Sequence, residues 1–125
     1  MRKGMFPGIL AVEQGVKGSD VIMLTHEKVL EIFKDYLRED TEYEVVLTSR
    51  GYTLMEWESK GEEWSDARFC KTPEVLAEAL LDAYEGYLEY KAAYGRRDLT
   101  PQEEQGIQEK RAALAEKCRK AGEEI

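Results

Sequence analysis

The chain has 125 residues, 42% of them hydrophobic, which suits a single domain with a core of its own rather than one stapled by disulfides. Its 26 Asp and Glu against 18 Lys and Arg leave a net charge of −8, which opposes attraction to nucleic acid or to an anionic membrane face and disfavours direct nucleic-acid binding. No apolar run approaches the ~18 residues of a membrane span; the run at residues 5–12 is broken by Pro7 and Gly8 and stopped by Glu13, so no signal peptide is expected and the expected location is cytoplasmic.

Residues 9–12 read as a short strand that could extend a sheet, and residues 14–19, with Gly15 and Gly18, as a loop. The apolar run at residues 21–24 fits either a strand or the opening of the next helix, because periodicity cannot separate the two at that length. From Thr25, an N-cap residue, THEKVLEIFKDYLRED repeats apolar side chains at Val29, Leu30, Ile32, Phe33, Tyr36 and Leu37, with Glu27 in the first turn and Arg38 near the end. This predicts a core helix. His26 has no second His, CxxC or nucleophile near it in sequence, so it reads as a boundary or capping residue.

TEYEVVLTSRGYTLMEWES is a β-hairpin signal, two strand-like runs around Ser49-Arg50-Gly51. A two-residue turn at Arg50-Gly51 would pair Val45 with Glu56. A three-residue loop with Gly51 in the left-handed position instead sets Tyr43, Val45 and Leu47 opposite Trp57, Met55 and Thr53, and is preferred. WSDARFC at residues 64–70 supplies a third strand, with Asp66 and Arg68 on a wet face and Ala67 and Phe69 on a dry one. Trp57 and Trp64 are taken as core rather than as a ligand platform.

Residues 72–94, TPEVLAEALLDAYEGYLEYKAAY, form the clearest helix, with Thr72 as N-cap and Pro73 at the first helical position. A turn of about 100° per residue gathers Val75, Leu76, Ala79, Leu80, Ala83, Tyr87, Tyr90 and Tyr94 on one arc, with Tyr84 and Leu88 at its edge. The opposite arc collects Glu74, Glu78, Asp82, Glu85 and Glu89. This stripe is either a solvated face, neutralised or not by basic residues of the last helix, or a docking surface for a basic partner protein. It lacks the convergent oxygen cage of a metal site.

Gly95 ends that helix, and Arg96-Arg97, with Lys91 and Tyr94 nearby, either complement a helix C-terminus or grip a phosphate or carboxylate. Thr100-Pro101-Gln102-Glu103 matches a capping box with Pro at the first helical position. The last helix carries a thin stripe of Ile107, Leu114, Cys118 and Ala121, with Ala115 beside it. That width suits packing on one neighbour, antiparallel to the long helix. Its Lys110, Arg111, Lys117, Arg119 and Lys120 make it the main basic region. Cys70 and Cys118, far apart and outside metal-ligand spacing, read as reduced, partly buried thiols.

The runs SRGYTLMEWES, FCKTPEVLAEALLDAYEGYLEYK and RRDLTPQE, within residues 45–118, resemble those of small uncharacterised proteins of integrative or conjugative elements of anaerobic Gram-positive bacteria. The motifs carrying the resemblance are fold punctuation rather than chemistry; it implies an accessory or regulatory role and no activity, cofactor or site.

The expected fold is therefore a single α+β domain: a three-stranded antiparallel meander, with a fourth N-terminal strand as an option, helices on one face and a C-terminal αα-hairpin. No catalytic, cofactor or metal motif occurs, so the expected function is a non-catalytic interaction or regulatory protein using the acidic helix face. The alternative is a nucleic-acid-related module, either a direct binder through Arg50, Arg96 and Arg97 or an acidic mimic of DNA. Apolar area left on the sheet and on the last helix would suit a homodimer.

Overall fold

The computed structural model describes residues 23–123; the strand expected at residues 9–12 and the loop at residues 14–19 lie outside them. Helix α1 (His26–Glu39) begins where Thr25 Oγ1 accepts from the Lys28 N–H at 3.1 Å, so Met23 and Leu24 precede the helix rather than open it. Strands β1 (Tyr43–Thr48), β2 (Gly51–Glu58) and β3 (Glu63–Phe69) follow as an antiparallel meander in the order β1-β2-β3. Helix α2 (Pro73–Ala93) and helix α3 (Pro101–Glu123) close the chain as an αα-hairpin, each N-capped by the threonine that its sequence supplies. Among the described residues, no helix is long and apolar enough to cross a membrane.

The core lies between α2 and its neighbours. Val29 and Phe33 of α1 and Leu76 and Leu80 of α2 are wholly buried, joined by Leu54 from β2 and Cys118 from α3. Leu30, Ile32, Leu37, Tyr43 and Val45 pack partly buried around them. His26 holds the start of α1 to the end of the sheet: its Nε2 donates to the Cys70 carbonyl at 3.0 Å and its ring stacks on Tyr52, whose hydroxyl donates to Glu27 at 2.8 Å. Both cysteines are free and buried, and burial pushes both thiols above their ordinary pKa.

Four details depart from the sequence reading. The first is the hairpin register, in which Thr48 pairs with Gly51 and Val45 with Leu54, leaving Ser49-Arg50 as the connection instead of a three-residue loop. Gly51 remains essential: its φ is +131°, and an added Cβ would lie 3.0 Å from the Phe69 ring. Local hydrogen bonds hold the turn, with Thr48 Oγ1 accepting from Arg50 N and donating to Gly51 O, each at 3.1 Å.

This register keeps Tyr43 and Val45 on the dry face as expected but reverses the faces expected of β2 and β3. Tyr43, Val45 and Leu54 point to the helices, and with them Asp66 and Arg68 of β3, since Arg68 pairs with Leu54 and Asp66 with Glu56. Trp57, Trp64, Ala67 and Phe69 lie on the other face, so the tryptophans are not core; Trp64 is 42% exposed. On the helix side, Leu54 and Tyr43 of the sheet line a small recess with Ala79 and Ala83 of α2.

On α2 the dry surface is wider and differently placed than a single arc. Ala77 and Leu81 are buried along with Leu76, Ala79, Leu80 and Ala83, while Val75, Tyr90 and Tyr94 are exposed. The helix is contacted by α1, α3 and β2 together, so no single arc describes its buried side. Lastly, α3 touches two neighbours, not one: beyond α2 its C-terminal turn reaches α1, where Lys28 Nζ donates to the Ala121 carbonyl at 3.4 Å and Leu24 lies beside Gly122.

Replacing the wholly buried Leu80 by Ala is expected to cost about 2–5 kcal/mol in urea denaturation, whereas Tyr94→Ala, on a 58% exposed side chain, should stay within roughly 0.5 kcal/mol.

Candidate interaction site

The acidic stripe of α2 is only partly free. Arg111, projecting from α3, places Nη2 2.9 Å from Glu78, and Nη1 3.1 Å from Asp82 and 3.0 Å from Glu85. Gln108 donates to the second oxygen of Glu85 at 2.9 Å, and Arg68 of β3 stands 3.6 Å from Asp82. Burial works against the charge of Arg111, but the carboxylates of Asp82, Glu85 and Glu78 outweigh it and raise its pKa. Two guanidiniums set against three carboxylates leave little net field along the middle of the helix. Glu74 and Glu89, at its two ends, are exposed.

Of the basic residues singled out from sequence, Arg97 is engaged within its own loop. Its guanidinium grips both oxygens of Glu103 at 2.9 and 2.8 Å, and also donates to the carbonyls of Ala92 and Asp98. Arg97 together with the backbone N–H of Thr100 holds the Glu103 carboxyl down to about 2, against an ordinary 4.5. Arg96 is exposed. Arg50 sits in the β1–β2 turn, beside the start of α2, while Arg96 and Arg97 follow its end; 21 helical residues, roughly 31 Å, separate them. One small anion cannot touch both.

Carboxylates and aromatic rings instead converge where α1 ends, β1 begins and α2 passes between them. A cleft of about 500 Å³ opens there, lined by Glu39, Asp40, Thr41, Glu42, Tyr43, Ala83, Gly86, Tyr87 and Tyr90. Each wall has a local cause. Asp40 caps the C-terminus of α1, its N–H donating to the Tyr36 carbonyl, so the negative end of the helix dipole faces the cleft. The buried Asp40 carboxylate accepts from the Tyr36 hydroxyl at 2.6 Å and from the Glu42 N–H at 3.2 Å, which fixes the turn into β1.

Across the cleft, Tyr87 donates its hydroxyl to Glu39 at 3.0 Å, and Tyr90 stands on the rim, 60% exposed. Gly86 leaves the floor open between them: an added Cβ would meet nothing within 4 Å. Glu39, Asp40 and Glu42 bring carboxylates to the lining. Burial is the larger cause raising the pKa of Tyr43 and Tyr87, and the carboxylates of Glu56 and Asp40, or of Glu39, raise them further. Lys91 already lies 5.4 Å from the centre of the Tyr87 ring, a cation over an aromatic face.

Such a cleft can hold an organic cation. Among the described residues no three His, Cys, Asp or Glu side chains converge as metal ligands. The sequence reading did not single out the acidic run Glu39-Asp40-Thr41-Glu42, and its meeting with Tyr87 and Tyr90 depends on packing nearly fifty residues away in the chain. No protein-family model, no curated protein and no solved structure matches this chain. The fold and the cleft define a small α+β protein with an acidic, tyrosine-lined recess.

Two outcomes follow from these contacts. Tyr36→Phe leaves the buried Asp40 carboxylate short of a donor and should destabilise the fold by roughly 1–3 kcal/mol in chemical denaturation. Because the folded Glu103 carboxyl lies below its ordinary value, its stabilising contribution is complete above about pH 4.5 and is lost as pH falls toward 2. The stabilities of the wild type and of Glu103→Gln, measured by denaturant titration at stepped pH, should therefore converge across that window.

Proposed function

We propose that this protein is a non-catalytic interaction or regulatory accessory protein that takes a lysine or arginine side chain of a basic partner protein into the cleft between α1, β1 and α2. The observation that carries this reading is the convergence of Glu39, Glu42, Tyr43, Tyr87 and Tyr90 around an open recess at the negative end of α1. A cation over a tyrosine ring contributes about 0.5–2 kcal/mol, more as it is desolvated. The end of a helix dipole adds about 0.3–1 kcal/mol. These terms support modest affinity, steered by the negative field and weakened by salt. The basic partner suggested by the long helix is retained, while its contact moves from the stripe, where Arg111 and Arg68 answer the central acids, to the cleft.

The test is a titration of fluorescein-labelled peptides rich in Lys and Arg into the intact chain. Binding is expected, weakening as salt rises. Gly86→Leu, whose added Cβ meets nothing within 4 Å, should abolish it by occupying the recess, and Glu42→Lys should abolish it by reversing charge. Glu78→Gln, which alters a carboxylate already held by Arg111, should leave it unchanged. Equal binding by wild type and Gly86→Leu would remove the cleft from consideration. A duplex oligonucleotide bound at moderate salt, insensitive to Gly86→Leu, would favour the nucleic-acid module with Arg50, Arg96 and Arg97 as its contacts.

A further inference from the structure

The face of the sheet turned away from α2 is largely apolar, with Glu44 and Thr48 along its β1 edge, and no described helix covers it. Val46, Thr53 and Phe69 align across the three strands, then Met55 beside Ala67, then Trp57 beside Trp64. The two indole rings meet edge to face at 5.1 Å, and Trp64 and Phe69 are 42% and 47% exposed. None of these apolar side chains belongs to the core shared by the helices. A contiguous apolar patch of this kind marks a contact surface.

Its size decides between occupants. Strand spacing and rise give three strands of this length a face of roughly 300 Å². That is well below the ~800 Å² per partner typical of a stable interface, so the face alone is too small to hold a second copy. It matches one extended segment of about eight residues, which reaches roughly 26 Å, the length of β2.

We propose that the apolar stretch at residues 5–12 of this same chain covers the outer face of the sheet. When extended, it turns Phe6, Leu10 and Val12 to one side, with Gly8 between them. The chain enters α1 at the correct end: His26 touches Cys70 and Tyr52, next to Phe69 and Gly51. The ten residues between the stretch and Met23 span up to about 33 Å when extended, enough to round the sheet edge. Arg2 and Lys3, next to that stretch in sequence, are opposite in charge to Glu58, Glu62 and Glu63, which are exposed around Lys60 at the β2–β3 tip. Charge as well as apolar surface is thereby matched.

Trp57 and Trp64 are the two tryptophans of the chain and both lie on this face, so their fluorescence reads its coverage directly. In the full-length chain, Phe6→Asp/Leu10→Asp should shift the emission to the red and steepen quenching by acrylamide, with an unchanged far-ultraviolet circular dichroism spectrum. Unchanged emission and quenching overturn the proposal. So does wild-type emission that reddens on dilution in step with loss of a dimer in light scattering, since a second copy is then the cover. Should the double variant fail to fold, photo-reactive benzoylphenylalanine in place of Phe6 provides an independent reading. Cross-links within one chain to β2 or β3 support the proposal, and cross-links only between chains, or only to the helices, overturn it.

Discussion

The burial of α2 on three sides is the constraint from which the rest of the structure follows. Leu76 and Leu80 meet Val29 and Phe33 in the innermost core, Ala77 and Leu81 turn to Ala115 and Cys118 of α3, and Ala79 and Ala83 turn to Leu54 and Tyr43 of the sheet. On the sheet side α2 presents small residues to Leu54 and Tyr43, and the strands place their tryptophans on the opposite face.

The same arrangement governs the charges. With α3 laid antiparallel along α2, the acids of α2 nearest to it would lose water without compensation, and Arg111 supplies that compensation to Glu78, Asp82 and Glu85 at once. Farther along, where α1 stops and β1 begins, the layers diverge and tyrosines stand in for leucines. Tyr36, Tyr84 and Tyr87 meet there with ring centres 5.2 and 5.5 Å apart around Tyr36, one side apolar and the other able to hydrogen-bond. The cleft is the consequence of this divergence, and its negative field comes from the helix end and the turn carboxylates together.

Local signals were legible wherever a residue acts on its own neighbours. Thr25, Thr72 and Thr100 each accept from a backbone N–H three residues on, as their positions before helical runs implied, and Glu103 closes the capping box by accepting from Thr100 N. Relations between elements were less legible. Strand β2 carries apolar side chains on both faces, Leu54 on one and Met55 and Trp57 on the other, so alternation alone could not say which pointed inward. A one-residue difference in the β1–β2 register was enough to reverse the faces expected of β2 and β3. The candidate site was hidden for the same reason, since Glu39 and Glu42 are separated from Tyr87 and Tyr90 by the whole sheet.

By itself the sequence determined the element types and order, the helix starts, the need for glycine after the Ser49-Arg50 turn and a chain of negative net charge, because these rest on dihedral preference, short-range hydrogen bonds and composition. Tertiary structure decided the faces and the partners: that the tryptophans lie outside, that Arg111 answers three acids of α2, and that the open negative recess lies at the end of α1. Side-chain volume and charge act through space, and only packing brings together residues that the chain keeps far apart.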